Sequence, residues 1–361
     1  MAPIRCLDPG SLTKLLVAMP DGWGSELRPA IHPHSVGIPK CPRRFLFSKR
    51  LGWYKRSWSD ALYVGSIFHE ILALRYAGHA LLPSIESVLQ DHTIELERQV
   101  LEYRAAHPDL PAPKTDKSRK ALALGAALAQ TWEEHFPLPA NMQILAVEQS
   151  MARPLDDINV GPPVEGTVDL VVYDPQHART WLVDHKTTAY DPATRAAPAS
   201  FDTQMLLYRA LWDSTHPDYP LFGVIHGIIR KPTIRQKKNE TLEAYTQRCS
   251  EWYDEKFISD PSKSPLSMSH VAFTRLPLTQ DAELCGLLRM TGRWHTKAPS
   301  LASFPRDSRF CINLSGRLCP YMSLCQQDNP NLWCGILQRE GFTKRSQNTY
   351  PKAVPALETS Q

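Results

Sequence analysis

Residues 164–188 contain two apolar runs that flank a short polar segment. The first run is rich in β-branched and aromatic residues, which favour strands. The segment between the runs, DPQH at residues 174–177, has a composition typical of a tight turn. A second apolar run begins with WLV at residues 181–183. This pattern predicts a β-hairpin, and the other predicted elements are arranged around it.

Longer stretches on both sides of the hairpin have the periodicity of amphipathic helices, and shorter apolar runs have the length of strands. Helices are predicted over residues 60–79, 84–106, 117–136, 200–213, 241–258 and 279–297. Further strands are predicted over residues 142–150, 221–230 and 268–276. This order predicts an α/β fold in which helices flank a small mixed sheet.

Composition divides the chain into a main domain and two less regular ends. Residues 1–40 contain many Pro and Gly and little periodicity, so we expect an irregular N-terminal arm. Residues 336–361 are expected to form a flexible tail, because the last of them are polar and include Pro351 and Pro355. The main domain is then residues 41–335.

The formal net charge of +4 in a chain of 361 residues permits a nucleic-acid partner but does not by itself indicate one. No apolar run reaches the roughly 18 residues that a membrane helix needs. The N-terminal residues also lack the long apolar region and cleavage site of a signal peptide. We therefore expect a cytoplasmic protein that does not interact with membranes.

The charged residues of the hairpin include Asp169, Asp184 and Lys186. Asp184 and Lys186 are two apart, so on a strand their side chains leave the same face, and Asp169 on the partner strand can face them. Buried carboxylates and ammonium groups are usually paired or hold a metal. The hairpin is either a cradle for a divalent cation and an anionic substrate, or a polar edge with a surface ion pair.

Other polar residues stand at positions where they could serve the same site. His69 lies within the first predicted helix, where a structural histidine is the commoner case. Glu148 ends the first predicted strand and is either a further ligand or an exposed acid. Gln204 and Tyr208 are four apart, hence on one face of a helix.

Two basic segments could contact nucleic acid. Residues 41–58 interleave Arg and Lys with aromatic residues, which suits stacking and phosphate contact, although the aromatic residues could instead belong to the core. Residues 230–238 contain five cations and could bind a phosphate backbone or form a solvated loop.

The cysteine pattern indicates a metal site. Cys311, Cys319 and Cys325 fall close together, without the paired CxxC spacing of a zinc ribbon. A [4Fe–4S] cluster needs four thiolates and tolerates uneven spacing. Cys41 is the best candidate for the fourth ligand, and Cys334 is a competitor.

Five elements in order resemble the PD-(D/E)XK nuclease superfamily, specifically the RecB-like exonuclease branch with an iron–sulfur cluster. AddB-type helicase-nucleases and CRISPR spacer-acquisition nucleases are similar. The matching elements are GSIFH at residues 65–69, GTVD at 166–169, DHKT at 184–187, QMLLY at 204–208 and the flanking cysteines. The gap from Cys311 to Cys319 is longer than is usual in this branch, and the central acid is Asp rather than Glu.

The resemblance implies a PD-(D/E)XK core that binds Mg²⁺ or Mn²⁺. Asp169 and Asp184 would provide carboxylate ligands, the His185 carbonyl a further oxygen and His69 a nitrogen. Lys186 would orient or deprotonate the attacking water, or offset charge in the transition state.

The resemblance also implies roles outside the metal site. Gln204 and Tyr208 would position the DNA backbone. A [4Fe–4S] cluster would tie the N-terminal and C-terminal segments together through Cys41, Cys311, Cys319 and Cys325.

The implied function is a metal-dependent DNA exonuclease that acts on ends or single strands in recombination, repair or phage DNA processing. The alternatives are an endonuclease or CRISPR spacer-processing nuclease of the same fold, and a non-catalytic DNA-binding or scaffold subunit of a nuclease complex. The sequence has no G-x-x-x-x-G-K-[ST] phosphate loop, so a helicase is expected only as a separate partner protein. A recombinase or a CRISPR-adaptation protein is another possible partner.

Overall fold

The computed structural model describes most of the chain between residues 41 and 344. The described residues are 41–55, 60–106, 108–109, 115–154, 163–192, 202–259, 264–273, 282–296, 304, 311, 318–327, 329, 332–340 and 342–344. The predicted N-terminal arm, residues 1–40, lies outside them.

The predicted helices and strands occur in the predicted order, with short elements before and after them. The described elements are α1 (Pro42–Phe45), a π-helical turn (Leu46–Arg50), β1 (Trp53–Lys55), α2 (Asp60–Tyr76), α3 (Leu81–Ala106), α4 (Asp116–His135), β2 (Gln143–Arg153), β3 (Val164–Asp174), β4 (Arg179–Thr188), α5 (Thr203–Thr215), β5 (Leu221–Arg230), α6 (Leu242–Ser259), β6 (Leu266–Ala272), α7 (Ala282–Thr296), α8 (Met322–Gln326), α9 (Trp333–Arg339) and β7 (Phe342–Lys344). Every helix and strand predicted from periodicity is present, with small shifts at the ends. None of the helices described is long and apolar enough to cross a bilayer.

The chain forms two compact units, and residues 41–335, predicted as the main domain, contribute to both. One unit comprises Met1–Ser57, Ala152–Gly166 and Leu276–Lys352, and the other comprises Trp58–Met151, Thr167–Arg275 and Ala353–Gln361. The two ends of the chain bury an apolar cluster of their own in the first of these units.

The larger unit is built on a five-stranded mixed sheet with the strand order β2-β3-β4-β5-β6. β3 and β4 form the predicted antiparallel hairpin, in which Leu170 is opposite Val183. β4 and β5 are parallel and are connected through α5, while β6 is antiparallel to β5. The α/β fold with a small mixed sheet and flanking helices is therefore confirmed.

One face of the sheet is covered by α2 and α4, which approach each other closely at Gly125. A Cβ atom at Gly125 would lie 2.6 Å from Cβ of Ile67, so only glycine allows this packing. Apolar side chains of both helices and of the strands fill the space between them, including Ile67, Phe68, Leu128, Trp132, Val183 and Ile225. This packing fixes α2, and with it His69, against the sheet.

The smaller unit has an aromatic core that joins both ends of the described chain. Phe47 stacks with Trp53 and makes an edge contact with Trp333, and β1 pairs antiparallel with β7. Phe45, Phe47 and Trp53 are all buried. For these three residues the core interpretation of the 41–58 segment is correct, and they are not available to stack on nucleic acid.

The predicted flexible tail at residues 336–361 begins too early. Ile336 and Leu337 on α9 are buried in the aromatic core, and Phe342 on β7 joins them. The spacing of Trp333, Ile336 and Leu337 gives α9 one apolar face, which explains why this segment packs. Residues 345–361 lie outside the described part of the chain.

Candidate active site

Three side chains that can bind a metal converge from α2, β2 and β3. His69, Glu148 and Asp169 each present a ligand atom within 4.8 Å of the other two. No other group of three His, Cys, Asp or Glu residues in the described part of the chain meets this spacing. One imidazole nitrogen with carboxylate oxygens is a donor set that suits Mn²⁺ or Mg²⁺. The residues present therefore fit a divalent cation.

The local sequence explains how His69 and Asp169 reach this position. His69 follows the buried Phe68, so α2 anchors its apolar face while the imidazole lies at the edge of the helix. Asp169 stands between Val168 and Leu170, both buried. The carboxylate of Asp169 accepts a hydrogen bond from the backbone N–H of His185 at 3.1 Å, which ties β3 to β4 at this point.

The site concentrates negative charge. Burial alone would lower the pKa of His69, but Asp169 Oδ2, 3.3 Å from Nδ1, outweighs burial and raises it. Burial alone would raise the pKa of Asp169, but His69 and Lys186 hold it well below its usual range. Burial, with the neighbouring Asp169 charge, raises the pKa of Glu148 to about 7. Two crowded carboxylates are an arrangement that a divalent cation stabilises.

Glu148 also has an unusual backbone conformation. Its φ angle is 45°, in the left-handed region that non-glycine residues rarely adopt, although it lies within β2. Backbone strain of this kind concentrates at functional sites. Of the two interpretations of Glu148 from sequence, the one in which it belongs to the site agrees with this geometry.

Asp184 and Lys186 lie on one face of β4, as their spacing predicts. Lys186 Nζ donates a hydrogen bond to Asp184 Oδ1 at 2.7 Å. Burial alone would lower the pKa of Lys186, but Asp184 and Asp169 outweigh it and raise it, so the ammonium is charged at neutral pH. Asp184 is not part of the three-residue convergence within 4.8 Å. The geometry thus brings together His69, Asp169 and Glu148 more closely than the predicted set with Asp184.

The side chain of His185 is part of the core. It is surrounded by Phe68, Tyr76 and Trp132, and Tyr76 Oη lies 3.1 Å from its Nε2. Burial lowers the pKa of His185 to about 4, so the imidazole is neutral. The side chain therefore supports the sheet, and the predicted role of His185 as a carbonyl ligand concerns its backbone alone.

Gln204 and Tyr208 share one face of α5. Asp202 caps this helix by accepting a hydrogen bond from the Gln204 backbone N–H at 2.8 Å. Gln204 Nε2 donates to Tyr208 Oη at 3.0 Å. Burial raises the pKa of Tyr208 to about 12, and the charges of Asp169, Lys186 and Asp184 also act on it.

His226 is a polar residue near the site that the sequence patterns did not single out. It lies on β5 directly beside Asp184 and is buried. The available signal was a lone histidine within the otherwise apolar run LFGVIHGIIR of residues 221–230. A histidine in the interior of a strand buried on both faces requires hydrogen-bonding partners.

The predicted cluster cysteines all belong to the smaller unit. Cys41 is buried, whereas Cys311, Cys319 and Cys325 are partly exposed. The Cys319 N–H donates to the Cys311 carbonyl at 2.7 Å. Burial raises the pKa of Cys319, and Cys41 and Cys311 act in the same direction. Cys319 and Cys325 pack against the same aromatic core. None of the cysteines described is in a disulfide.

This fold and site define a class of α/β protein with an acidic edge on a mixed sheet that could hold a divalent cation, and a lysine beside it. The family model described as the PD-(D/E)XK nuclease superfamily matches residues 38–326, most of the chain. The chain belongs to the PD-(D/E)XK nuclease superfamily.

Other comparisons find only distant similarity. No curated protein matches the chain. The crystal structure of SSO0001 has 13% sequence identity and a TM-score of 0.27, with 78% of this chain and 82% of that chain covered. A phage-related exonuclease from Haemophilus somnus 129PT has 13% identity and a TM-score of 0.26, with 52% and 87% covered. At these TM-scores neither structure supports an inference about this chain.

Proposed function

We propose that this protein is a metal-dependent deoxyribonuclease that hydrolyses phosphodiester bonds at DNA ends or in single strands. The observation that carries the proposal is the convergence of His69, Glu148 and Asp169 within 4.8 Å. Lys186 on the adjacent strand adds a positively charged side chain, which this chemistry needs. Membership of the nuclease superfamily supports a nucleic-acid substrate.

Each residue of the site is assigned a role that follows from its chemistry. His69, Glu148 and Asp169 would hold the cation, with Asp184 as the further acid on the neighbouring strand. The bound cation would supply Lewis acidity, lowering the pKa of a water molecule and offsetting phosphate charge. Lys186 remains an ammonium through its contact with Asp184, so its proposed role is to orient the nucleophile and offset charge on the phosphate.

The face of α5 would place the substrate. Gln204 and Tyr208 form a hydrogen-bonded pair whose amide and phenol can each bind phosphate or sugar oxygens. Since Tyr208 keeps its proton, it would act as a neutral hydrogen-bond donor rather than as an anion that repels phosphate.

Cleavage of end-labelled linear DNA, compared with closed circular DNA, tests this function. We expect linear duplex or single strands to be digested with Mn²⁺ or Mg²⁺ and to survive in EDTA, while closed circles resist. Cutting of the circles would replace the exonuclease proposal with an endonuclease. Absence of cleavage on every substrate, with DNA binding retained, would favour the non-catalytic scaffold.

Substitutions within the site provide the matched control. Lys186→Ala and Asp184→Ala are each expected to abolish cleavage while DNA binding survives, because both residues act at the scissile phosphate and make few of the DNA contacts. Asp218→Asn, an exposed acid in the same unit, should cleave like the wild type. Wild-type cleavage by either of the first two variants would contradict the site assignment.

We also propose that Cys41, Cys311, Cys319 and Cys325 hold a [4Fe–4S] cluster in the smaller unit. The hydrogen bond between Cys319 and Cys311, and the packing of Cys319 and Cys325 on one aromatic core, are the observations that support this donor set. In such a cluster each thiolate binds a different iron atom, so the sulfur atoms need not meet the spacing of a single-ion site. A cytoplasmic location, where thiols stay reduced, is part of this proposal.

A further inference from the structure

A row of polar side chains crosses three strands beside the site. In the parallel ladder of β4 and β5, Asp184 is the register partner of His226. In the antiparallel ladder of β5 and β6, His226 is the register partner of Ser269. Register partners present their side chains to the same face of a sheet, so these three residues are adjacent across it.

Four polar atoms of this row are buried and have no hydrogen-bond partner. They are Oδ2 of Asp184, Nδ1 and Nε2 of His226 and Oγ of Ser269. Nε2 of His226 already lies 3.1 Å from Oδ2 of Asp184, although the angles do not make a hydrogen bond. Since directly opposed residues have Cβ atoms about 4.5–5.5 Å apart, the Ser269 hydroxyl is within reach of the His226 ring. Unpartnered buried polar groups are costly, and these residues can satisfy one another.

We propose that Ser269, His226 and Asp184 form a hydrogen-bonded row that orients the Asp184 carboxylate. The Ser269 hydroxyl donates to Nδ1 of His226, and the Nε2–H of His226 donates to Oδ2 of Asp184. Lys186 already holds the other oxygen, Oδ1, at 2.7 Å. Asp184 is thus held on both oxygens, and His226 is a positioning residue. The inference rests on the proposed function for its effect on cleavage.

The order Ser, His, Asp is also that of a serine-hydrolase triad, but the burial here points to a different role. A nucleophilic serine must be open to its substrate, and Oγ of Ser269 is buried. The carboxylate at the other end is bonded to Lys186 instead of serving the histidine alone. The row therefore orients the carboxylate of Asp184, and Ser269 is the residue of the row farthest from that carboxylate.

Nitrogen NMR of the ¹⁵N-histidine-labelled full chain tests the row without reference to activity. We expect His226 to show a protonated Nε2 and an unprotonated, hydrogen-bonded Nδ1. Ser269→Ala should shift the Nδ1 resonance. Ser267→Ala, on the same face of β6 but opposite Ile228, should not shift it. A protonated Nδ1, or an unchanged Nδ1 resonance in Ser269→Ala, would overturn the proposal.

Cleavage kinetics with Mn²⁺ and end-labelled linear DNA test whether the row affects catalysis. Loss of the groups that orient a metal-site ligand typically costs about 10- to 100-fold in activity or metal affinity. We expect His226→Leu to lower kcat by that factor while KM for DNA is unchanged, because the side chain of His226 is buried. His226→Gln retains a donor and should recover most of the rate. His270→Leu, on the next strand opposite Ile225, should behave like the wild type.

The outcomes separate the two proposals. If the wild type cleaves DNA and a folded His226→Leu variant keeps its kcat within twofold, the positioning role is wrong. Equal losses in His226→Gln and His226→Leu would also overturn it, because the effect would then follow from packing. If His226→Leu does not fold, the NMR comparison of the serine variants decides. If the wild type cleaves no DNA, the proposed function fails while the NMR result still tests the row.

Discussion

At the residue scale, the site consists of acids whose charges the protein only partly offsets. Asp169 is opposed by His69 and by the backbone N–H of His185. Burial and the Asp169 charge raise the pKa of Glu148 to about 7, and the opposing effect of His69 only partly offsets them. The remaining negative charge is the physical reason to expect a bound cation.

Metal binding should depend on Asp169. We expect Mn²⁺ to raise the melting temperature of the wild type, since a ligand at 100 times its Kd stabilises the folded state by about 2.7 kcal/mol. Asp169→Asn should lose most of this shift because the amide is a weaker ligand. Thermal melts with Mn²⁺ and with EDTA measure the difference, and Asp218→Asn is the control. A full Mn²⁺ shift in Asp169→Asn would contradict the assignment of the ligand.

At the element scale, the position of His69 depends on how closely α2 and α4 pack. Gly125 is the contact point, because a Cβ there would lie 2.6 Å from Cβ and 2.7 Å from Cγ2 of Ile67 and 3.1 Å from the Val64 carbonyl. These atoms belong to the helix backbone or are attached close to it, so they cannot move aside without moving α2. The helix that carries the candidate ligand is thus positioned by a glycine on its neighbour.

Gly125→Ala should destabilise the protein despite the higher helix propensity of alanine. We expect a loss of about 1–3 kcal/mol in the free energy of unfolding, the usual cost of overpacking. Gly286→Ala on α7 has nothing within 4 Å of the new Cβ and should gain up to about 1 kcal/mol. Urea denaturation of both variants measures these changes. Equal stabilisation by the two substitutions would show that the helices can separate at no cost.

At the scale of the whole molecule, distant parts of the chain meet in both compact units. The smaller unit joins β1 with β7 and packs Trp53 against Trp333. The proposed cluster ligands lie in this unit, before and after the nuclease core in sequence. A metal cluster that links such distant residues restricts the unfolded chain and so stabilises the fold.

Loss of a cluster ligand should remove both colour and stability. We expect Cys319→Ala to lose bound iron and visible absorbance and to melt at a lower temperature, because three thiolates hold the cluster poorly. Cys249→Ala, a buried thiol in the larger unit, should keep its iron. Iron analysis and absorbance spectra measure this. Parallel spectra of Cys41→Ala and Cys334→Ala identify the fourth ligand, and full absorbance in Cys319→Ala would refute the cluster.

Most of the helices and strands of the fold could be predicted from local sequence patterns. The hairpin at residues 164–188 and its turn are in the structure where the alternation of residue types placed them. The segment at 336–344 was mistaken for part of a tail, because its burial depends on partners near residue 50 that no local window contains. Gln204 and Tyr208 were paired correctly because their contact is set by helical spacing alone.

The sequence by itself determined the helices, the strands, the hairpin and the same-face placement of Asp184 and Lys186, since these follow from periods of two and 3.6 residues. Only the tertiary structure decided that Glu148 joins His69 and Asp169, and that His226 and Ser269 stand beside Asp184. These groupings depend on strand order and register and on the packing of α2. Such relations arise between segments far apart in the chain, where local periodicity carries no information.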